Sequence, residues 1–512
     1  MAAVVWARIH LAGLPLERDE GEYAYTGQLF LAGVPPYKLA YSMKLPGMAA
    51  AYAVIMAIFG QSAIGLHVGL ILVNVLTAGL IFLLGRQLLD EVGGIAAAST
   101  YAVLSLMPYV LGQAAHATHF VVLFALGGAV LLVRNLNRQS TTGIFLSGFL
   151  FGIGFLMKQP GLFLVGFGAV YLFGNDWRRF GTRRAMSRQI VFLLGALLPF
   201  AASCVLLWAA GVFGKFWFWT VDYAGQYGGR VSIAEGFQIL RTQLPLVVQH
   251  AWLLWLIAAI GFVLCVVAKA CRPNAPFLIT FLFFSALAVC PGFYFRPHYF
   301  IVLLPAISLL AATAVTTGLR TLEPRARSLS LVPLLALGAA FSWPIWKEAD
   351  FLFERPVAEA NRMVNGTNPF PESVKIGEFI RSQSEPSDTI AVLGSEPEMY
   401  FYAHRASATG YIYTYGLMEP QPYAHRMQLE MIREIETARP RFLILVVINR
   451  SWLTEPDSDL TIFKWADSYC DRGYEEIGLV NISDSGTDYY FSARPAGVPP
   501  APDHILIYRR KM

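Results

Sequence analysis

Charge is scarce in this sequence. Of its 512 residues only 14% are Asp, Glu, Lys or Arg, while 56% are hydrophobic and the mean hydropathy is +0.51; an ordinary soluble domain carries about 25% charged residues. The deficit excludes a water-soluble chain and makes a polytopic membrane protein the expected class. Cysteine is sparse as well: Cys204, Cys265, Cys271, Cys290 and Cys470 are scattered without CxxC spacing, and all but Cys271 and Cys470 fall within the apolar runs. That pattern excludes a disulfide framework and a cysteine-based zinc site. No repeat of 20 to 50 residues and no low-complexity tract is present. Gly394 and Gly410 do not form a phosphate-binding glycine pattern. The net charge of +5 is concentrated in arginines of short loops between apolar runs, so it reports topology, and nucleic acid is not an expected partner.

What the sequence has in abundance is long apolar runs. A span needs roughly 17 to 25 such residues, and candidates lie near 64–85, 92–111, 118–134, 190–213, 250–268, 277–293, 298–318 and 328–346. Two shorter runs, 144–157 and 161–174, flank Lys158-Gln159-Pro160 and read as spans meeting at a tight turn. Residues 1–16 are apolar but short, which fits either a clipped first span or a start further upstream. A cleaved signal peptide is disfavoured, because a small-residue cleavage site is missing. Arg86, Arg134, Arg138, the run DWRRFGTRRAMSR, Lys269, Arg272, Arg320, Arg325 and Arg327 alternate to one side, which the positive-inside rule makes cytoplasmic. The expectation is about eleven transmembrane helices in the plasma (inner) membrane. The opening stretch, the turns 112–117, 158–160 and 292–297, the loop 214–249 and everything after about residue 347 then lie outside.

Residues 1–346 therefore read as a transmembrane domain, with 17–45 as an outer loop carrying a juxtamembrane helix, and residues 347–512 as an extracytoplasmic α/β domain. In the second part TIAVLG and RFLILVVI are short continuous apolar runs of the kind that buried parallel strands use. QPYAHRMQLEMIREIETA between them is an amphipathic helix, and YEEIGLV, DYYFSAR and HILIYRR add later strands.

The outer loop concentrates what charge there is. Asp19, Glu20 and Glu22 precede a helix-like segment that stops at Gly33-Val-Pro-Pro, an ordinary helix start and stop, and helical spacing puts Asp19, Tyr23 and Phe30 on one face. Lys44, His116, His119, Lys158, Arg296 and His298 fall at the outer ends of the expected spans, on the same side as Asp19. A charge at membrane depth costs about 2.5–3.5 kcal/mol, so such residues generally have a partner or a task. Singly, a lysine or arginine there is a snorkelling residue; together they form a cationic cradle suited to a phosphate, opposite a carboxylate able to accept a proton.

RDEGEYAY followed by KLPG resembles the Asp-Glu motif and Lys-Pro loop of the GT-C membrane glycosyltransferases, the group of the protein O-mannosyltransferases and the lipid A aminoarabinose transferases. FGQSAIGLHVGLILVNVLTAGLIFLLGRQL, the lysine of GFLMKQPG, and RPHYFIVLLPAISLL are similar to the same group, over residues 15–318. The resemblance implies transfer of a sugar from a polyprenyl phosphate to an acceptor hydroxyl, with inversion. It makes Asp19 the base, supported by Glu20, with Glu22 and Tyr23 beside them. Lys44, Lys158, Arg296 and His298 would neutralise the lipid phosphate. Relatives often carry an aspartate after the third span, whereas GQAAHATHFVVLF offers His116 and His119, which take polar contacts there or bind a divalent metal ion with Asp19 or Glu20. The implied partners are the bilayer, a polyprenyl-phosphate sugar and a glycan, lipid or protein acceptor. A secondary transporter and a non-catalytic envelope scaffold are the competing readings. The first expects midplane charges and repeats, and the second leaves the acidic loop and its lysines without a task.

Overall fold

The computed structural model describes residues 2–138, 140–322, 331–483, 486–492 and 497–511. Arg325, Arg327, the start of the span expected over 328–346 and the last two residues of DYYFSAR lie outside the described residues.

The chain opens with helix α1 (Ala2–His10) and reaches α2 (Arg18–Leu31) through a short connection. A capping box starts α2: the Glu17 side chain accepts from the Glu20 backbone N–H at 2.9 Å, and the Glu20 carboxylate accepts from the Glu17 N–H at 3.2 Å. Asp19, Glu20 and Glu22 are thus inside the helix rather than ahead of it. Next come α3 (Gly47–Phe59), α4 (Ala63–Leu88), α5 (Glu91–Leu104), α6 (Ala117–Arg138), α7 (Thr141–Met157), α8 (Gly161–Phe180) and α9 (Thr182–Ala209). Helix α3 was not anticipated; it ends at Gly60, and Ser62 caps α4 by accepting from the Gly65 N–H. The expected turn at Lys158–Pro160 does join α7 to α8.

Helices α7 and α9 pack backbone to backbone. A Cβ on Gly148 or Gly152 of α7 would collide with the carbonyl oxygens of Phe192 and Ala196 on α9, the close approach that small residues permit between apolar helices. The opposite face of α9 leaves Leu193, Leu197, Val205 and Trp208 exposed, a surface suited to hydrocarbon rather than water. The arginine-rich stretch 175–189, expected as a loop, is instead the end of α8 and the start of α9, broken only at Gly181 with φ +77°.

Among the described residues, α4, α6 and α9 are long and apolar enough to cross a membrane, and a fourth crossing is possible if Ile233–Gln249 and Trp252–Val267, bent by 105°, count as one span. The other apolar helices, including α3, α5, α7 and Ala275–Val289, are shorter, so helix length does not establish the expected eleven crossings. The stretch 214–249, expected as a loop, contains Phe213–Trp217, a π-helical turn at Phe218–Tyr223, Ala224–Gly228 and Ile233–Gln249.

The C-terminal part builds one mixed six-stranded sheet from β1 (Thr389–Leu393), β2 (Ala406–Ser407), β3 (Phe442–Val447), β4 (Tyr474–Ser483), β5 (Gly486–Phe491) and β6 (Asp503–Arg510), in the order β2-β1-β3-β6-β4-β5. The two apolar runs pair in parallel as β1 and β3, with Ile390 opposite Phe442, and the three later strands are antiparallel. Ala424–Ala438 is the amphipathic helix, burying Met427, Met431 and Ile435.

This sheet domain holds α2 in place. Arg18 donates to Glu396 at 3.0 Å and to the Ser395 carbonyl at 2.5 Å. A Cβ on Gly21 would lie 2.6 Å from both Cβ and N of Glu398, so only glycine lets α2 rest on the helix Glu398–Ala403. The Tyr25 hydroxyl oxygen accepts from the Ser407 N–H at 2.7 Å, tying the middle of α2 to β2.

Candidate active site

The first turn of α2 points its carboxylates in different directions. Lys44, brought back by the loop after Gly33-Val-Pro-Pro, donates from Nζ to Asp19 Oδ1 and to Glu22 Oε2, each at 2.7 Å. Ser42 donates to the other oxygen of Glu22 and accepts from the Lys44 N–H at 3.1 Å, which fixes the loop against the helix. The Lys44 ammonium also lies 4.5 Å from the centre of the Tyr23 ring. Burial alone would push the Asp19 carboxyl up, but Lys44 beside it, with His298 and His116, holds it well below the usual carboxylate range. Burial opposes charge on Lys44 too, yet Asp19 and Glu22 raise it well above the usual lysine value. The pair is a carboxylate and an ammonium.

Asp19 Oδ2 faces the other way, 3.9 Å from His116 Nδ1 and 3.9 Å from His298 Nε2. The two imidazoles are stacked, with centroids 4.0 Å apart and planes at 12°. Burial pushes His116 down to about 4, so it is neutral at physiological pH. Ligand atoms of Asp19, His116 and His298 lie within 4.8 Å of one another. His116 Nε2 is buried without a hydrogen-bond partner among the described residues. Two imidazoles and a carboxylate form a donor set that fits a divalent ion such as Zn²⁺ or Mn²⁺.

This set differs from the metal ligands expected from the sequence. Glu20 is turned away from Asp19: its Oε1 accepts from the Ala115 N–H at 2.6 Å and faces His67 Nε2 at 3.0 Å, while His67 Nδ1 faces the Ala12 carbonyl at 2.8 Å. It locks α2 to α4 and to the loop before α6. His119 is fully buried within α6 and belongs to no such cluster among the described residues. Glu17 was not singled out, yet its Oε1 lies 3.7 Å from His116 Nδ1. Burial, with Asp19 and Glu20 nearby, raises its carboxyl well above the usual range. Its signal in the sequence was the capping-box spacing to Glu20.

Asp19, Glu22, Lys44, Lys158, Arg296 and His298 line one cavity of about 230 Å³. Lys158, at the α7–α8 turn, sits 4.1 Å from the centre of the Tyr299 ring. Burial first, then Lys44 and Arg296, brings Lys158 down to about 7 in spite of Asp19. Among the described residues neither Lys158 nor Arg296 makes an ion pair, whereas Lys44 makes two. Aromatic groups complete the wall. Trp219 and Tyr223 come from the π-helical turn and Tyr299 from the 3₁₀ helix Pro297–Val302, while Tyr413 and Tyr415 come from the sheet domain. The sequence reading passed over these tyrosines, although YIYTYG at 411–416 alternates in a way that turns extended side chains to one side.

Residues 44–208 match the family model described as dolichyl-phosphate-mannose-protein mannosyltransferase, a segment that includes Lys44, His116 and Lys158. No curated protein matches the sequence. Among solved structures the chain is similar to ArnT from Cupriavidus metallidurans bound to undecaprenyl phosphate. The TM-score is 0.59 at 15% identity, over 99% of this chain and 96% of that one. It is also similar to the oligosaccharyltransferase AglB of Archaeoglobus fulgidus in complex with an inhibitory peptide and a dolichol-phosphate, with a TM-score of 0.53 at 13% identity over 97% of this chain and 74% of that one. The A. fulgidus oligosaccharyltransferase complexed with Zn and sulfate gives 0.55 at 13% identity, over 96% and 72%. At these identities the likeness shows the fold: the chain has the GT-C architecture of helices followed by a sheet domain, as its motifs led us to expect.

Proposed function

We propose that this protein is an integral-membrane glycosyltransferase that moves a sugar from a polyprenyl phosphate to an acceptor hydroxyl on the outer face of the plasma membrane. The observation that carries this reading is the division of labour at Asp19. Oδ1 is held by Lys44, and the Asp19 side chain opens into a cavity that also contains two cations without ion-pair partners among the described residues, Lys158 and Arg296. The acceptor oxygen attacks the anomeric carbon from the side opposite the phosphate and its proton passes to Asp19. The bond from that carbon to the phosphate oxygen breaks, and its electron pair leaves with the polyprenyl phosphate. The anomeric configuration inverts. Lys158 and Arg296 meet the charge that grows on the leaving phosphate, where fixed cations act most strongly on the barrier. Lys44 takes a different part from the one the motif alone implied: its charge is matched by Asp19 and Glu22, so it orients the base.

Asp19, His116 and His298 are the residues that would hold a divalent ion, which when bound supplies positive charge at the donor phosphate. That ArnT and AglB are described with undecaprenyl and dolichol phosphates supports the choice of donor. The outward orientation is supported by the arginines at the α8–α9 junction.

A nucleotide-sugar enzyme needs a soluble donor domain on the cytoplasmic side, and the connections assigned to that side are short. Purified protein in nanodiscs, offered polyprenyl-phosphate sugars and nucleotide sugars in parallel, will form product only with the lipid-linked donors. Transfer from a nucleotide sugar in the absence of any lipid intermediate would overturn the reading.

A further inference from the structure

A second and larger cavity, of about 540 Å³, adjoins the first. The two share Tyr227, Arg296, Tyr415 and Glu419, so a molecule lodged in one meets the other across this common wall. Its volume is that of a ligand cleft, for which about 300–1,000 Å³ is usual. Its floor is polar, and its charged groups are paired. Arg230 pairs with Glu419 at 3.1 Å and with Glu455, and Tyr223 donates to Glu419 at 2.9 Å. Tyr294 stacks on Tyr227 with centroids 4.7 Å apart and planes at 19°, and donates from its hydroxyl to the Tyr227 carbonyl at 3.2 Å. Glu235 caps the helix Ile233–Gln249 at the cavity edge, and Gln238 lies one turn further along it.

The chemistry of this lining selects among acceptor classes. Val231, Ile239 and Leu453 are its only aliphatic residues among those described, too little apolar wall for an acyl chain. Three carboxylates, Glu235, Glu419 and Glu455, outnumber the two guanidinium groups, Arg230 and Arg296, and Arg230 is already paired with Glu419 and Glu455, so the cavity does not favour an additional anion. What remains suits hydroxyl groups: paired donors and acceptors at fixed spacing, beside tyrosine faces on which the apolar side of a sugar ring can lie.

We infer that this side cavity is the acceptor subsite and that its occupant is a saccharide. The inference rests on the transferase reading above for the word acceptor, but not for the ligand class. A saccharide hydroxyl passing Arg296 reaches the cavity of Asp19, gives up its proton there, and its oxygen takes the anomeric carbon as the polyprenyl phosphate departs.

Full-length protein in nanodiscs, with a panel of methyl pyranosides and furanosides as probes and a hydroxyl-bearing peptide beside them, tests this by saturation-transfer NMR. Wild type and Asp19→Asn should both bind at least one methyl glycoside. Gln238→Ala and Glu455→Gln, which alter residues at the rim, should weaken that binding at least tenfold while undecaprenyl phosphate binds as in wild type. In turnover the same two variants should raise the acceptor KM at least tenfold at unchanged kcat. Binding of no glycoside, glycoside binding indifferent to both substitutions, or displacement of the glycoside by the peptide would each overturn the inference. Glycoside binding that shows this pattern in a protein that transfers no sugar would uphold the subsite and remove the transferase reading instead.

Discussion

Arg18 donates to Glu396 at 3.0 Å across 378 positions of sequence, and so fastens the helix that carries Asp19 to the C-terminal sheet domain. The Glu396 side chain is fully buried, and that of Arg18 is only 10% exposed. Removing one partner of such a pair leaves an uncompensated buried charge, at a cost of about 3–5 kcal/mol. Arg18→Ala should therefore lower the thermal unfolding midpoint and, by loosening α2, reduce turnover as well. Gly21→Ala should do the same by pushing α2 off Glu398. Thermal unfolding in detergent checks both, and variants with wild-type midpoints would show that the two parts do not depend on this contact.

The value of about 7 for Lys158 gives a pH dependence with a definite sign. The groups that face it are Asp19 and Glu17 from α2, Lys44, Arg296 and Tyr299, with His116 and His298 nearby. Its folded value is depressed, so Lys158 is charged below about pH 7 and increasingly neutral above it. A bound phosphate favours the charged form. Binding of undecaprenyl phosphate at pH 8 should therefore take up close to one proton, and at pH 6 close to none from this group. Calorimetry in buffers of different ionisation enthalpy reads this directly. Lys158→Arg, charged throughout, should bind without the uptake at pH 8; equal uptake in both proteins would assign the proton elsewhere.

Much of this arrangement was legible in the sequence, and the reason differs from part to part. The acidic start of α2 and Lys44 were legible because the Gly33-Val-Pro-Pro stop forces a short return between them. Strands β1 and β3 were legible because each is a continuous apolar run bounded by polar residues. The pairing of His116 with His298 was not, since it depends on how distant elements pack around Asp19, and composition carries no record of that. Helix α3 was missed because Gly47–Phe59 has fewer residues than a span and merges by hydropathy with the apolar run beyond Gly60. The tyrosines at 413 and 415 were missed because no site residue was sought in the C-terminal α/β domain, whereas it supplies part of the cavity wall.

A divalent ion held by Asp19, His116 and His298 should stabilise the fold without regard to turnover. At about one hundred times its dissociation constant, a ligand bound only by the native state contributes about 2.7 kcal/mol. Zn²⁺ or Mn²⁺ should raise the unfolding midpoint of chelator-treated wild type and leave that of His298→Ala where it is. A midpoint insensitive to both ions, or an equal rise in the variant, would contradict the assignment.

The orientation has its own test. With the other cysteines replaced, a cysteine at position 183 should resist an impermeant thiol reagent added to intact cells, while one at position 385, in the sheet domain, should react. Those positions lie at the α8–α9 junction and beside β1. The reverse pattern would put Asp19 on the cytoplasmic side and with it the proposed donor.

The most direct measurement is turnover of Asp19→Asn with a polyprenyl-phosphate sugar, alongside its affinity for undecaprenyl phosphate. The substitution keeps the shape of the side chain and removes the proton acceptor, whose contribution to such a step is about 10²- to 10⁴-fold. The account predicts a loss of turnover in that range, with lipid-phosphate affinity compared in chelator-treated proteins staying within a few-fold of wild type, because Lys158 and Arg296 are untouched. Near-normal turnover in Asp19→Asn would contradict it.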